Sequence, residues 1–117
     1  KQNEKKDFII LDAAMNDLMR PALYGANHKT LPATKHSRLS KKTYEFVGPI
    51  CESTDKFTTL KKFQKLKEKD LVVMCDTGAY GMSLSSNYNL RPKAAEILIK
   101  GTKINVIKKR QKLDQLI

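Results

Sequence analysis

The sequence predicts a mainly β fold, a sandwich or barrel-like sheet domain with short helices. Short apolar or alternating runs follow one another, separated by turn residues, and helical periodicity is sparse. The 117 residues suffice for one domain with a real core and exclude a multidomain enzyme. No apolar run approaches the length that crosses a bilayer, so no membrane partner is expected.

Apolar content and alternation mark the strands. Four runs predict strands: residues 8–11, 28–32, 43–47 and 71–75. The first and the last are continuously apolar, which indicates buried strands. Residues 43–47 alternate, are rich in β-formers and end at Gly48. Residues 95–99 and 103–109 predict a β-hairpin with Gly101 in its turn.

Helices and loops fill the remainder. Helix formers over residues 13–24 predict a helix, with Asn16 as its N-cap and Pro21 limiting its length. Apolar residues at helical spacing favour a short, lysine-rich helix over residues 57–66. The segments without periodicity predict a basic loop, an ordered polar loop and a short helical tail, at residues 35–42, 76–89 and 111–117.

The charge raises one alternative function. Lys and Arg number 23 against 12 Asp and Glu, which gives a net charge of +11, and such a balance is typical of nucleic-acid-binding modules. Most of the excess is lysine, and neither an aromatic-interleaved RNA motif nor a recognition-helix pattern accompanies it. We therefore expect a solvated lysine-rich surface and no nucleic-acid partner.

The cysteines, histidines and N-terminal residues narrow the class of protein. Cys51 and Cys75 are far apart and outside any CxxC motif, so a reducing, cytoplasmic setting is the simplest interpretation. His28 and His36 have no cysteine or carboxylate at ligand spacing, so no metal site is expected. The polar residues 1–6 carry no signal-peptide pattern, and a first residue other than Met suggests a piece of a longer protein.

Two polar clusters are candidates for binding a ligand. Arg20 and Tyr24 are four residues apart, so a helical turn places a guanidinium beside a phenol, a pair suited to a carboxylate. A surface arginine over a packed tyrosine fits the same spacing. Tyr80 lies between two glycines, and its hydroxyl can bond a phosphate or a ring. A tight turn with a packed tyrosine is its structural alternative.

A third cluster surrounds Cys51, which follows a strand end and is flanked by an acid and hydroxyls. A thiol can serve as a proton donor, whereas a nucleophilic cysteine needs a paired histidine, and none is near in sequence. A small buried side chain is the common alternative for a free cysteine, and we expect that role for Cys75 in its apolar strand. The composition alone leaves both roles open for Cys51.

Six segments, taken in chain order, resemble one family. They are DAAMNDL at 12–18, RPALYGA at 20–26, VGPICES at 47–53, DTGAYG at 76–81, SSNYN at 85–89 and RP at 91–92. The pattern resembles the C-terminal β-domain of the diaminopimelate decarboxylases, within the fold-type III decarboxylases that depend on pyridoxal 5'-phosphate. It spans the chain from about residue 8 to the hairpin after residue 95. It implies a sheet domain of the alanine racemase/decarboxylase type.

The resemblance implies a role for each matched residue. Cys51 matches the catalytic proton donor, which returns a proton to the carbon that has lost carbon dioxide and is delivered from one subunit into its partner's active site. The positions that match substrate binding are Arg20, Tyr24, Glu52, Ser53 and Tyr80. Tyr80 also matches a tyrosine that contacts pyridoxal phosphate.

The resemblance also implies a larger enzyme around this chain. Family members carry an N-terminal β/α barrel that holds the Schiff-base lysine and the cofactor phosphate, and we expect residues 1–117 to be the β-domain without that barrel. The expected partners are the barrel and the second subunit of a homodimer with shared active sites. The parent would convert meso-2,6-diaminopimelate to L-lysine and carbon dioxide, the last step of lysine biosynthesis, and this chain alone is expected to be inactive.

Substrate chemistry separates the diaminopimelate enzymes from their relatives. The remote end of diaminopimelate carries an ammonium and a carboxylate, and Glu52 and Arg20 supply the two opposite charges. Ornithine has no remote carboxylate, so a buried arginine would stay unpaired at a cost. The alternatives that remain open are an ornithine- or arginine-type decarboxylase domain, a non-catalytic dimerisation domain and a basic nucleic-acid-binding module.

Overall fold

Sheet accounts for most of the regular structure in residues 5–36 and 38–117, the part of the chain that the computed structural model describes. The strands of this part are β1 (Lys6–Ile10), β2 (Thr30–Pro32), β3 (Thr43–Val47), β4 (Lys56–Leu60), β5 (Val72–Met74), β6 (Glu96–Lys100) and β7 (Lys103–Lys108). The helices are α1 (Arg20–Tyr24), α2 (Gly78–Leu84) and single 3-10 turns at Tyr88–Leu90 and Leu113–Gln115. The mainly β class is therefore confirmed.

The strands form three small sheets. The largest has the order β1-β3-β4, with β1 parallel and β4 antiparallel to β3, while β2 pairs with β5 and β6 pairs with β7, both antiparallel. Closing a sheet into a barrel requires both edge strands to pair, and β1 and β4 each pair on one side within the described residues. The barrel-like arrangement is accordingly not confirmed.

The core lies on one face of the largest sheet. Its buried members are Leu18, Tyr44, Phe46, Phe57 and Phe63. The rings of Phe46 and Phe63 meet edge to face with centroids 5.2 Å apart, a favourable geometry for aromatic pairs. Phe46 of β3, the middle strand of this sheet, is fully buried, so the middle strand holds the core together.

A buried acid on β3 is paired with lysines from both neighbouring strands. Glu45 accepts hydrogen bonds from Lys6 on β1, and its other oxygen lies 3.2 Å from Lys56 Nζ on β4. The hydrogen bond from Lys6, followed by the interactions with Lys56, holds the pKa of the Glu45 carboxyl below its ordinary value, although burial opposes the shift. The pairing ties the three strands across one face.

Two predicted helices differ from the structure. Residues 57–66 are predicted helical, but Lys56–Leu60 is strand β4, because the β-branched Thr58 and Thr59 pair with β3. Within 13–24 only Arg20–Tyr24 is helical. Pro21 stands in the first turn of that helix, where its missing N–H costs nothing, and so it starts the helix and does not limit it.

Asn16 is not the N-cap of a helix. The N-cap of α1 is Met19, and it makes no side-chain cap. Asn16 is instead fully buried, and its side chain bonds distant backbone and side-chain groups. A lone asparagine before helix formers gives the same local signal in both cases, so the sequence could not separate them.

Helix α2 lies inside the segment that is predicted to be a loop. Its seven residues include Gly78 and Gly81. Glycine lowers helix propensity, so local propensity does not predict this helix. The predicted strand at 28–32 and the strand at 43–47 are confirmed, and so is the hairpin with Gly101 at φ +59°. Of the tail at 111–117, Leu113–Gln115 is a single 3-10 turn.

Burial differs from expectation at several apolar positions. The strands predicted at 8–11 and 71–75 are only partly covered, since Ile10 is 61% and Leu71 73% exposed. Cys75 is half-buried and not fully enclosed. The aliphatic side chains exposed on the hairpin are Ile97, Leu98, Ile99, Ile104, Val106 and Ile107. An open apolar cleft of about 820 Å³ lies beside them, between β1, β5 and α2.

The helices are short. Among the described residues, every helix is too short or too polar to span a bilayer. The expectation that the N-terminus lacks a signal peptide concerns residues 1–6, of which 1–4 lie outside the described part.

Candidate functional site

The loop between β3 and β4, residues 48–55, is organised by one buried carboxylate. Asp55 is 3% exposed, and its two oxygens accept hydrogen bonds from the backbone N–H groups of Ile50 and Met15, both at 2.7 Å. The N–H of Gly48 donates to the Asp55 carbonyl at 2.9 Å. A buried carboxylate with its oxygens satisfied in this way fixes the loop against the segment 12–18.

The three predicted residues of that loop stand at its exposed tip. Cys51, Glu52 and Ser53 are all exposed, and Cys51 is a free thiol. The exposure excludes the alternative of a small buried side chain for Cys51, whose functional role stays a prediction. A rigid base with an exposed acid and thiol can present both groups to a ligand or to another chain.

Helix α1 presents Arg20 and Tyr24 on one face, as the spacing predicts. The helix begins at Arg20 with Pro21 in its first turn and ends at Gly25, whose φ of +64° suits glycine. The guanidinium carbon of Arg20 lies 5.8 Å from the ring centroid of Tyr24 and 5.2 Å from that of Tyr80. One cation thus contacts two aromatic rings, which limits its rotamers without neutralising its charge.

The described acids all lie away from that cation. Within residues 5–36 and 38–117, no carboxylate lies at ion-pair distance from the Arg20 guanidinium. Arginine is the side chain best suited to hold a carboxylate with two parallel hydrogen bonds. The guanidinium can therefore accept a carboxylate partner from outside the described part of the chain.

Helix α2 supplies the second ring. Gly81 is buried against the fold, while Tyr80 on the neighbouring position is 59% exposed. The Tyr80 hydroxyl has no hydrogen-bond partner in the part of the chain described here, so the phenol remains able to donate to a bound group.

The segment 12–18 supports both the Cys51 loop and the segment 85–91. Asn16 donates from Nδ2 to the Ser86 carbonyl at 3.1 Å and accepts from Arg91 Nε at 3.0 Å. Arg91 also donates to the Asp12 carbonyl. These hydrogen bonds bring the first, fifth and sixth matched segments, which are far apart in the sequence, into contact.

One contact of the site has no signal in the sequence. The hydroxyl of Tyr88 donates a hydrogen bond to Oε1 of Glu52. The pair is 36 residues apart, and neither periodicity nor spacing relates the two positions. Tyr88 was part of a matched segment, yet only the fold brings it to Glu52.

The predicted site residues therefore form two groups. Arg20, Tyr24 and Tyr80 make one group, and the loop residues Cys51 to Ser53 make the other. No hydrogen bond, ion pair or ring contact between the groups occurs within the described residues. A shallow depression of about 440 Å³ is lined by Pro21 and Ala22 of α1 and by Ser53 of the loop. In the described part of the chain, no cluster of His, Cys, Asp or Glu suits a metal ion.

Comparison with known proteins assigns this architecture to a family. A family model described as the C-terminal sheet domain of pyridoxal-dependent decarboxylases matches residues 1–78. The chain is 43% identical over 116 residues to diaminopimelate decarboxylase of Vibrio cholerae, covering 99% of this chain and 27% of that protein. It is 44% identical over 115 residues to the Neisseria meningitidis serogroup A enzyme of the same name, covering 98% and 28%.

Solved structures agree with the sequence matches. The chain superposes on the crystal structure of diaminopimelate decarboxylase from Helicobacter pylori complexed with L-lysine with a TM-score of 0.85 and 42% identity. The match covers 98% of this chain and 28% of that one. The chain thus spans little more than a quarter of the length of the relatives it matches.

Proposed function

Because this chain belongs to the pyridoxal-dependent decarboxylase family, as its C-terminal sheet domain, we propose that it forms part of a diaminopimelate decarboxylase. The parent enzyme converts meso-2,6-diaminopimelate to L-lysine and carbon dioxide, in the cytoplasm, as a step of lysine biosynthesis. Its relatives of that name span several bacteria and match nearly the whole chain. The chain's two free cysteines agree with a reducing compartment.

The observation that carries the proposal is the unneutralised Arg20 between two tyrosine rings. The remote end of the substrate has a carboxylate, which Arg20 binds with Tyr24 beside it. That end also has an ammonium, for which Glu52 is the anion and Ser53 a hydroxyl neighbour. A substrate without the remote carboxylate, such as ornithine, leaves Arg20 without a partner, which disfavours the ornithine-type alternative.

Proton return is the role that we assign to Cys51. Its exposed thiol stands on a loop held by Asp55, so it can donate a proton to a substrate carbon placed against the loop tip. In the expected product, the proton from Cys51 is bonded to the substrate carbon that received it. An exposed thiol with no histidine partner fits a proton donor better than a nucleophile.

The two groups of site residues favour a homodimer with shared active sites. Arg20, Tyr24 and Tyr80 would serve the active site of their own subunit, while Cys51 and Glu52 would reach the active site of the partner. The absence of contacts between the groups, within the described residues, supports this division. The exposed aliphatic hairpin and the apolar cleft offer surface for the N-terminal barrel of the same protein.

Tyr80 fits a contact to pyridoxal phosphate, since its exposed phenol carries an uncommitted donor. The cofactor, when bound, supplies the electron sink for the decarboxylation. This chain contributes one contact to the cofactor, that of Tyr80. Its other site residues act on the substrate. Arg20 orients the remote carboxylate, Glu52 orients the ammonium, and Cys51 holds the proton. The Schiff-base lysine is assigned to the barrel of the parent.

An assay of the parent enzyme tests the proposal. The full-length protein is supplied with pyridoxal phosphate and offered meso-diaminopimelate, with L-ornithine as the matched control substrate. Lysine formation without ornithine turnover is the expected result. Turnover of ornithine at a comparable rate would refute the pairing of Arg20 with a carboxylate, and turnover of neither would leave the non-catalytic dimerisation role.

A further inference from the structure

We propose that Tyr88 is a positioning residue that orients Glu52 toward the remote ammonium of the substrate. The inference rests on the proposed function, in which Glu52 binds the remote ammonium of the substrate. The phenol hydroxyl of Tyr88 donates to Oε1 of Glu52 and leaves Oε2 for the ligand. One oxygen is thus committed to the protein and the other to the substrate.

Glu52 needs such a partner because its loop places it at an exposed tip. An exposed glutamate samples many rotamers, and binding must restrict them. The backbone around it is already fixed, since the Glu52 N–H donates to the Ile50 carbonyl at 2.8 Å and the Asp55 N–H donates to the Glu52 carbonyl at 3.1 Å. Only the side chain remains to be oriented, and Tyr88 is the group that contacts it.

Tyr88 is itself held in place. Its N–H donates to Ser86 Oγ at 3.3 Å, and its carbonyl accepts from the Arg91 N–H at 3.3 Å. The next two residues, Asn89 and Leu90, have φ of +57° and +54°, a left-handed conformation that non-glycine residues rarely adopt. Such a backbone persists only where its surroundings define it, so the segment that follows Tyr88 is itself fixed.

Both partners are attached to adjacent residues of the segment 12–18. The Glu52 loop is bound through Asp55 to the N–H of Met15. The Tyr88 segment is bound through Ser86 to Asn16, whose carbonyl accepts the Ser86 N–H at 3.0 Å. The separation of Tyr88 and Glu52 is therefore set by one short stretch of backbone, which allows the hydrogen bond to be preorganised before substrate arrives.

The chemistry of the contact predicts an effect on binding and not on bond breaking. Tyr88 touches Glu52 and moves no proton to the substrate carbon. Loss of the hydroxyl should weaken recognition of the ammonium equally in the bound substrate and in the transition state. That pattern raises KM and leaves kcat unchanged.

The test uses the full-length enzyme with pyridoxal phosphate and the variant Tyr88→Phe. We expect KM for meso-diaminopimelate to rise about tenfold with kcat within about twofold. L-lysine keeps the remote ammonium and carboxylate, so its dissociation constant, measured by calorimetry, should rise by a similar factor. In a Glu52→Ala background, Tyr88→Phe should add nothing, because its effect acts through Glu52.

Tyr44→Phe is the matched control. The Tyr44 hydroxyl accepts the Leu66 N–H at 3.3 Å in the core, so its loss should lower stability and leave KM unchanged. Three results, each obtained with an active wild type, would overturn the role of Tyr88. They are a KM of Tyr88→Phe equal to that of the wild type, a loss confined to kcat, and effects of Tyr88→Phe and Glu52→Ala that add in the double variant. A wild type that forms no lysine would instead overturn the proposed function, and the role of Tyr88 with it.

Discussion

The carboxylate of Asp55 fills the space that a side chain on Gly48 would need. A Cβ at position 48 would overlap both carboxylate oxygens and the carbon between them. The same two oxygens hold the N–H groups of Ile50 and Met15. The glycine is therefore required by a close approach that keeps the Cys51 loop in place.

Gly48→Ala should displace the Asp55 carboxylate and unfold the loop locally. We expect the free energy of unfolding to fall by about 2–4 kcal/mol, because buried N–H groups lose their acceptor. Chemical denaturation followed by circular dichroism measures the change. Gly78→Ala is the matched control, since a Cβ there meets nothing within 4 Å, and it should leave stability nearly unchanged. Equal stability of both variants would contradict the packing described.

Cys51→Ala should abolish most turnover of the full-length enzyme and preserve its fold. We expect kcat to fall by roughly 10²–10⁴-fold, the usual contribution of a positioned proton donor. The exposed side chain supports little of the fold, so the midpoint of thermal unfolding should not move. Steady-state rates and circular dichroism check both parts. Cys75→Ala serves as control and should keep kcat, and a fully active Cys51→Ala variant would exclude the proton-donor role.

Arg20→Lys should raise KM for diaminopimelate by about 10–100-fold, because lysine keeps the charge but loses the planar fork and the contact with two rings. Initial rates of the full-length enzyme over a range of substrate concentrations measure this. Arg38→Lys, at an exposed position of the basic loop, is the control with the same chemical change. A KM that responds equally to both variants would mean that Arg20 acts only through net charge.

Glu45→Gln should lower the stability of the fold at neutral pH, and the loss of stability should be smaller at acidic pH. The folded-state pKa of this carboxyl is lowered mainly by Lys6 and then by Lys56, so its ionised form stabilises the fold above about pH 4.5. That contribution is lost as the pH falls through the lowered folded-state pKa. We expect the free energy of unfolding of Glu45→Gln to be lower than that of the wild type by about 1–2 kcal/mol at pH 7. The loss is modest because both lysines are partly exposed.

Denaturation of wild type and Glu45→Gln at pH 7 and at pH 3 tests this pH dependence. The difference between the two proteins should shrink at the lower pH. Glu68→Gln, at an exposed position, should change stability little at either pH. A difference that grows in acid would mean that the carboxyl is better stabilised in its protonated form.

The sequence predicts strands well where alternation and turns coincide. Thr43–Val47 has the predicted bounds because β-formers fill the run and Gly48-Pro49 ends it. The segment 57–66 is misassigned because its helical spacing competes with pairing to β3, which no local pattern reveals. Arg20 beside Tyr24 follows from spacing, whereas the approach of Tyr80 depends on where α2 packs.

Local sequence patterns do not predict contacts between residues that are far apart in the chain. Asn16 gives the signal of a helix cap, and only the burial beneath residues 85–91 explains its hydrogen bonds. Tyr88 and Glu52 meet because both are fixed to the segment 12–18. The roles of Cys51 and the other site residues stay predictions until the parent enzyme is assayed.

The parallel pairing of β1 with β3 predicts an order of folding. β3 and β4 are joined by the short loop 48–55 and can pair early, since closing a short loop costs little entropy. β1 reaches β3 only after a crossover through residues 11–42, which includes α1, and such non-local pairing is slow. We therefore expect the β3–β4 hairpin to form first, and the loop that bears Cys51 to be fixed only when the crossover brings the N–H of Met15 to Asp55.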